Sequence, residues 1–387
     1  MNQFKEKICR EVDLLADELY AVSDFLLKNP ETAYKEFKSA EHLSNILEKH
    51  GFHVEKGIGG IETAFMARPA LSDPSRPCVA FLAEYDALPK IGHGCGHNMI
   101  AAASIGAVLV LHRIMKDRAG GLALVGTPAE EGGGGKAYLA EAGIFNETDA
   151  AIMFHPNSIN IPGKNMLGRI KFKIEFHGQS AHASGGPDKG INALDALVIA
   201  YSSINAMRQK LKPDARIHGI ITHGGDAPNI IPDYAAGLFY VRAETREYRD
   251  QLLEQVKLCG QGAALATGAE FKMEIYEPKL DPMKRNFALE GALKGNMDAL
   301  GILPDKDDGR MGSSDIGNLS YYLPSIHPYL AVTGPDVILH TPEFRDATST
   351  DRARKTLLCA AKVLAMTAYD FLTSSDLRDS VSKEFNE

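Results

Sequence analysis

Positive charge is in short supply. The chain carries 42 Lys and Arg against 50 Asp and Glu, a formal net charge of −8, and no run of basic residues. Nucleic-acid binding needs a clustered basic surface, so no nucleic-acid partner is expected. Long apolar runs are also missing. No stretch reads as the roughly 18 apolar residues that span a bilayer, so no membrane partner is expected either. The opening segment, Met1 to Asp13, is charged throughout and lacks the apolar core of a signal peptide. Cysteine is sparse: Cys9, Cys78, Cys95, Cys259 and Cys359 are odd in number, scattered and without CxxC spacing. No disulfide framework is therefore expected, and a cytoplasmic location is.

Phosphate loops are absent as well. A Walker A loop around Gly135-Lys136 would need Gly at 130 and Ser or Thr at 137, where the chain has Glu130 and Ala137. A dinucleotide fingerprint starting at Gly92 would need Gly at 97, which is His97. Glu130-Glu131 would also repel phosphate. No internal repeat is found.

What remains is a globular chain of 387 residues, 44% hydrophobic and 24% charged, long enough for two domains. One stretch organises it: Gly92-His93-Gly94-Cys95-Gly96-His97-Asn98, followed by the apolar run Met99 to Leu111. Three glycines let the backbone turn tightly around four reactive side chains. A metal and a thiolate nucleophile are the candidate chemistries of such a loop.

Apolar spacing predicts helices over Phe4 to Leu27, Ser39 to His50 and Met99 to Met115. A short strand is expected within Gly57 to Ala67, and a loop over Pro69 to Pro77. Three unbroken apolar runs, Cys78 to Ala83, Gly121 to Gly126 and Ala150 to Phe154, read as buried parallel strands. Each is followed by acidic, Cys or His residues, and the carboxyl ends of such strands are where an open α/β sheet builds a site. From Gly168 the pattern changes to strict alternation. Strands and helices then follow in the order β-α-β-β-α-β up to about Glu277, the order of a ferredoxin-like unit. Beyond it lie a helix (Asn286 to Leu300), a Gly/Ser loop (Gly309 to Gly317), a strand (Tyr329 to Val332) and a last helix (about Thr350 to Leu372). The final dozen polar residues are expected to fray.

Cys95, His97, Glu131, His155 and His340 are all residue types that ligate divalent first-row metals, and each lies at or just beyond an apolar strand or in a Gly/Pro-bounded loop. Each taken singly has an ordinary reading, a satisfied histidine or a solvated carboxylate. Their convergence favours a metal. The rival is a cysteine hydrolase with Cys95 as nucleophile and His97 or His155 as base. Cys-x-His on one tight loop suits chelation better than in-line proton transfer.

Seven segments carry a resemblance: Glu84-Tyr-Asp-Ala-Leu-Pro, Gly92-His-Gly-Cys-Gly-His-Asn, Gly126-Thr-Pro-Ala-Glu-Glu-Gly-Gly-Gly-Gly-Lys, Phe154-His-Pro, Gly178-Gln-Ser-Ala-His-Ala, Pro228-Asn-Ile-Ile-Pro-Asp and Gly312-Ser-Ser-Asp-Ile-Gly-Asn. Together they resemble the M20 family of co-catalytic metallopeptidases and amidohydrolases. Within it they are similar to the aminoacylase-like branch of p-aminobenzoyl-glutamate hydrolase subunits and β-alanyl dipeptidase-like proteins. The likeness runs along nearly the whole chain. It implies an α/β fold: a mixed-sheet, zinc-peptidase-like catalytic domain over 1–167 and 281–387, with an inserted ferredoxin-like α+β lid and dimerisation domain over 168–280.

The resemblance implies two divalent ions, of zinc, manganese, cobalt or nickel. Cys95 would bridge them where many members use Asp. His97 and His155 would complete one ion, Glu131 and His340 the other. Glu130 would be the general base toward a metal-activated water, and Asp86 would orient a ligand histidine. His182 would polarise the scissile carbonyl, often in the partner protomer's site. Asn229 and Arg242 would hold the substrate's carboxylate, a task suited to the planar guanidinium fork. Ser313 and Asp315 lie in a loop that would line the pocket. The implied activity is hydrolysis of an amide bond in small N-acyl amino acids or dipeptides by a homodimer joined through the lid.

Two departures stand out. Many M20 enzymes have a His-x-Asp motif with a ligand His, where this chain reads Glu84-Tyr85-Asp86, and His97 takes over that role. Asn98 stands where related amidohydrolases have Asp, which moves the chain toward the dipeptidase-like subgroup and away from hippurate-type or auxin-conjugate substrates. The alternative function is a regulatory, metal-binding subunit of a related hydrolase.

Overall fold

The computed structural model describes residues 1–69, 76–115, 121–307 and 309–387. The loop expected over Pro69 to Pro77 lies partly on 70–75, outside the described residues. The chain separates into two compact units. One comprises Met1–Lys164, Lys284–Arg310 and Ser314–Glu387, the other Asn165–Met283 and Met311–Ser313.

The first unit is built on a six-stranded mixed sheet. Its order is Phe52–Lys56, Phe65–Pro69, Leu122–Gly126, Val79–Ala83, Ala150–Ile152 and Ser325–Ile326. The first three strands pair antiparallel, and the last four run parallel. Val79–Ala83 and Leu122–Gly126 are buried at every position, as their unbroken apolar sequences require. The parallel strands deliver Glu84, Thr127, Met153 and His327 at their carboxyl ends. A two-stranded parallel extension, His155–Asn157 with Tyr329–Ala331, prolongs that edge.

Helix His97–Met115 lies against this sheet and starts within the glycine loop. It is buried over most of its length, which explains an apolar run without a polar face. Two helices, His97–Met115 and Asp351–Thr373, are long and apolar enough to cross a membrane by length and composition. This corrects the expectation that no such stretch exists. Within the fold, 83% of the first helix's most apolar window is buried, as in a core helix.

Other local expectations are also revised. The helix expected over Phe4 to Leu27 is two helices, Gln3–Leu14 and Ala16–Lys28, broken at Leu15 (φ −91°, ψ 0°). Leu15, Leu19 and Val22 are all buried, so the apolar spacing continues across the break and hides it. The polar tail does not fray. Ser374 accepts a hydrogen bond from Leu377 N and caps helix Ser375–Asn386. Glu384 in that helix accepts from the Phe287 and Ala288 amides, and so caps helix Phe287–Ala299 in turn.

The second unit is an antiparallel sheet in the order Glu270–Ile275, Gly168–His177, Tyr234–Ala243, Arg216–His223. Helices Ala193–Arg208 and Arg246–Thr267 pack on one face through Ile170, Phe172, Phe239, Leu197 and Leu252. Asn192 and Thr245 cap the two helices. The β-α-β-β-α-β order is that of the expected ferredoxin-like unit. Met311–Ser313 joins it through Leu167 N to Gly312 O and Arg242 to Ser313 Oγ.

Candidate metal centre

The first unit gathers the expected donors at the carboxyl end of its sheet. Gly92 and Gly96 adopt positive φ, and Gly94 O accepts from His340 N (2.9 Å). The glycine loop is thereby tied to the His340 turn, far along the chain. A Cβ on Gly96 would lie 2.8 Å from Pro156, so glycine is what lets Cys95 approach the strand of His155. Cys95 Sγ lies 3.4 Å from His155 Nε2 and 3.3 Å from His340 Nε2. Glu131 Oε1 is 3.6 Å from His340 Nε2 and 3.9 Å from His97 Nε2. Two donor groups, Cys95/His97/His155 and Cys95/Glu131/His340, therefore share one sulfur, and a third joins His97 to Glu130 and Glu131.

Support for these side chains comes from the backbone. Ala129 (φ 63°) and His340 (φ 67°) occupy the left-handed region, a cost of about 1–3 kcal/mol each for a non-glycine residue. The Glu130-Glu131 turn closes on Ala129 O, which accepts from Gly133 N and Gly134 N. Asp86 holds two partners at once. Its Oδ1 and main-chain oxygen face His97 Nδ1 (3.1 and 2.9 Å), and its Oδ2 accepts from Glu131 N (2.9 Å).

That clamp decides what fits the site. With Nδ1–H donating to Asp86, His97 Nε2 presents a lone pair, yet it faces Glu84 Oε2 at 3.3 Å. Buried His97 Nε2 and Glu131 Oε1 have no hydrogen-bond partner among the described residues. Acceptors facing acceptors in a buried pocket need a cation between them, and the sulfur, imidazole and carboxylate donors suit a divalent first-row ion. The protonation tendencies agree. Burial disfavours a charged His97, but Asp86 and Glu84 override it, so in the metal-free protein a proton on the ring fills the cation's place. Burial, then the Glu131 carboxylate, pushes the Cys95 thiol well above its ordinary value. A nucleophilic thiolate needs an electropositive setting, and Cys95 has that only beside a cation. Glu130 and Glu131 are both raised by burial; Glu84 adds to it for Glu130, and Glu130 for Glu131.

Sequence reasoning passed over three residues here. Lys136 is wholly buried, with Nζ 2.5 Å from Glu84 Oε1 and 2.6 Å from Asp315 Oδ1. Asp315 Oδ2 also accepts from Lys136 N (2.8 Å). His327 is buried beside His155, ring centroids 5.2 Å apart. Glu84 stood out only as a departure from a motif. The available signal was position, since Glu84 and His327 each directly follow a parallel strand.

His182, Asn229 and Arg242 lie in the second unit. His182 is exposed, and its Nδ1 accepts from Ser184 N, Ser184 Oγ and Gly185 N (3.3, 3.2 and 3.0 Å), which leaves the proton on Nε2. Asn229 lies on the segment alongside, its main-chain oxygen accepting from Ala183 N. Arg242 pairs across the sheet with Arg169 on one side and Arg216 on the other. It donates to Ser313 Oγ (2.8 Å) and has no carboxylate partner among the described residues.

Comparison with known proteins gives the family. Residues 167–259 match the peptidase dimerisation domain of M20 proteins. The Xaa-Arg dipeptidase of Mus musculus is 36% identical over 400 residues, spanning 100% of this chain and 93% of that protein. The chain belongs to the M20 family. Its activity is metal-dependent hydrolysis of an amide bond. Within the M20 family it is also similar to a p-aminobenzoyl-glutamate hydrolase subunit of Escherichia coli, 27% identical over 95% of this chain and 91% of the relative. The M20 fold is shared with a dinuclear metal-binding peptidase from Bacillus subtilis (TM-score 0.71, 20% identity, 93% of this chain and 99% of that one). It is shared too with the aminobenzoyl-glutamate utilization protein from Klebsiella pneumoniae (TM-score 0.73, 18% identity, 94% and 98%).

Proposed function

We propose that this M20 enzyme cleaves dipeptides or small N-acyl amino acids that end in a free carboxylate. The observation that carries the reading is the pair of donor groups sharing Cys95, with Glu130 adjoining the donor Glu131. Cys95 belongs to both donor groups and would be shared between two divalent ions. His97 and His155 serve one, Glu131 and His340 the other. Ions held there would supply a water of lowered pKa and positive charge toward the scissile carbonyl. Glu130 takes the water's proton and returns it to the leaving amine. Asp86 keeps His97 in the tautomer whose Nε2 is free to bind. His182 offers its Nε2–H to the carbonyl oxygen as charge develops there. Arg242 and Asn229 hold the carboxylate, a role supported by the arginine's lack of an acidic partner among the described residues.

In this reading 1–167 and 281–387 form the catalytic domain, and 168–280 the lid through which two copies join. Strand Arg216–His223 is an edge strand, with Ile220 63% and Ile221 44% exposed, and Val198 and Ile199 are exposed on the helix of the same unit. An unprotected edge with apolar residues is a natural pairing surface. The dipeptidase and aminobenzoyl-glutamate hydrolase relatives support the substrate class. The sulfur-rich donor set is compatible with zinc, manganese, cobalt or nickel, and unpaired, scattered cysteines are consistent with a cytoplasmic enzyme. The test is a panel of dipeptides and N-acyl amino acids assayed before and after chelation, with each metal restored in turn. Turnover that survives chelation would defeat the reading.

A further inference from the structure

The main-chain amides on either side of Glu130 are each tied to a buried carboxylate. Glu131 N donates to Asp86 Oδ2 (2.9 Å), and Ala129 N donates to Glu36 Oε1 (3.0 Å). Asp86 also orients His97. Glu36 reaches none of the metal donors, yet it is wholly buried, 93 positions before Ala129, where helix Phe37–Lys49 begins. Its other partners are donors too: Tyr34 N to Oε1 (3.0 Å) and Thr63 Oγ1 to Oε2 (2.9 Å). Burial, then the Asp86 carboxylate, raises its pKa to about 7, so the fold keeps this carboxyl group against a cost.

The conformation of Ala129 shows what that group does. Its φ of 63° lies in the left-handed region, which a non-glycine residue keeps only where its surroundings over-determine it. Ala129 is wholly buried, so its N–H has no water to turn to. Its oxygen is held by Gly133 N and Gly134 N, and its amide by Glu36. The segment of Glu36 touches this turn a second time, through Tyr34 Oη donating to Gly133 O (2.8 Å).

We infer that Glu36 is a positioning residue for hydrolysis: by holding the amide of Ala129 it fixes the left-handed backbone that aims Glu130. This rests on Glu130 as the general base proposed above. Glu36 acts through the turn, without touching substrate. Glu131 and His97 keep their own anchor in Asp86, so the effect falls on the chemical step and not on the ions.

The experiment compares wild type with Glu36→Gln and Glu36→Met at saturating metal. It measures metal content, hydrogen exchange of the segment Thr127 to Gly135, and steady-state kinetics on the dipeptide and N-acyl amino acid panel. Glu36→Met removes the acceptor. Its kcat falls about 100-fold, the scale of a small misplacement of a reacting group, while KM and metal content stay at the wild-type level. The segment exchanges faster in that variant. Glu36→Gln keeps an acceptor for Ala129 N and recovers most of the loss in kcat and in protection. If Glu36→Met does not fold, Glu36→Asp takes its place with the same expected result, since it keeps the charge but draws the acceptor back by one methylene. Wild-type kcat in the folded variant, loss of metal, or a kcat loss as large in Glu36→Gln would overturn the inference. Normal turnover in Glu130→Gln would instead remove the base assignment. Exchange would then judge Glu36 alone, and equal exchange in wild type and Glu36→Met would show that it does not hold the turn.

Discussion

Replacing Lys136 by Met should destabilise the metal-free protein severely. The ammonium is 2.5 Å from Glu84 and 2.6 Å from Asp315, and all three side chains are wholly buried. Breaking a buried ion pair by removing one partner costs about 3–5 kcal/mol, because the orphaned charges remain. For a domain this large that is a fall of roughly 6–20 °C in Tm. The sign with pH follows from the lysine's own shift. Burial opposes its charge, but Asp315 and Glu84 raise its pKa above the unfolded value. Its contribution is therefore complete below the unfolded lysine pKa and is lost only as pH rises through the folded one, so wild type keeps it throughout the neutral range. Burial already raises the Asp315 pKa against the pull of Lys136, so without the lysine it rises further and the deficit narrows on acidification. The assay is thermal melting by circular dichroism of chelated protein at several pH values. Adding Glu84→Gln and Asp315→Asn should restore part of the loss, since no buried charge is then unpaired. A Lys136→Met variant that melts with wild type at neutral pH would refute the reasoning.

Further outcomes follow from the same geometry. Glu130→Gln should keep its full metal content yet lose about 10²–10⁴ in kcat, measured with metal analysis on the same sample. Gly135→Ala should lower Tm, because a Cβ there would sit 2.0 Å from Pro128 O, a main-chain atom of the turn that carries Glu130. If two copies pair through this edge as proposed, Ile220→Lys should shift the protein to monomer in analytical ultracentrifugation without altering the metal content.

Much of the architecture could be read from the sequence because it rests on periodicity. Val79–Ala83 and Leu122–Gly126 are buried on both faces, and the alternation in Gly168–His177 marks a strand covered on one. The donors were legible because glycine loops and strand ends flag them. What stayed hidden was set by contacts distant in sequence. The break at Leu15 leaves the apolar spacing intact. The helix Ser375–Asn386 is polar and is held by Glu384 capping a helix 97 residues away. Lys136 reads as a solvated residue after four glycines, and only the fold brings Asp315, 179 positions on, against its ammonium. His327 has no motif, and its burial beside His155 exists only in the folded chain.

The central claim is that one sulfur and four surrounding donors hold two ions that hydrolysis requires. It is tested most directly by stripping the enzyme with chelator and titrating a divalent metal back while following amide hydrolysis. Turnover should be absent in stripped protein and should saturate at two equivalents per chain, with Cys95→Ser needing far more metal. Turnover in stripped protein, or metal retained in full by an inactive Cys95→Ser, would contradict the account and return Cys95 to the role of nucleophile.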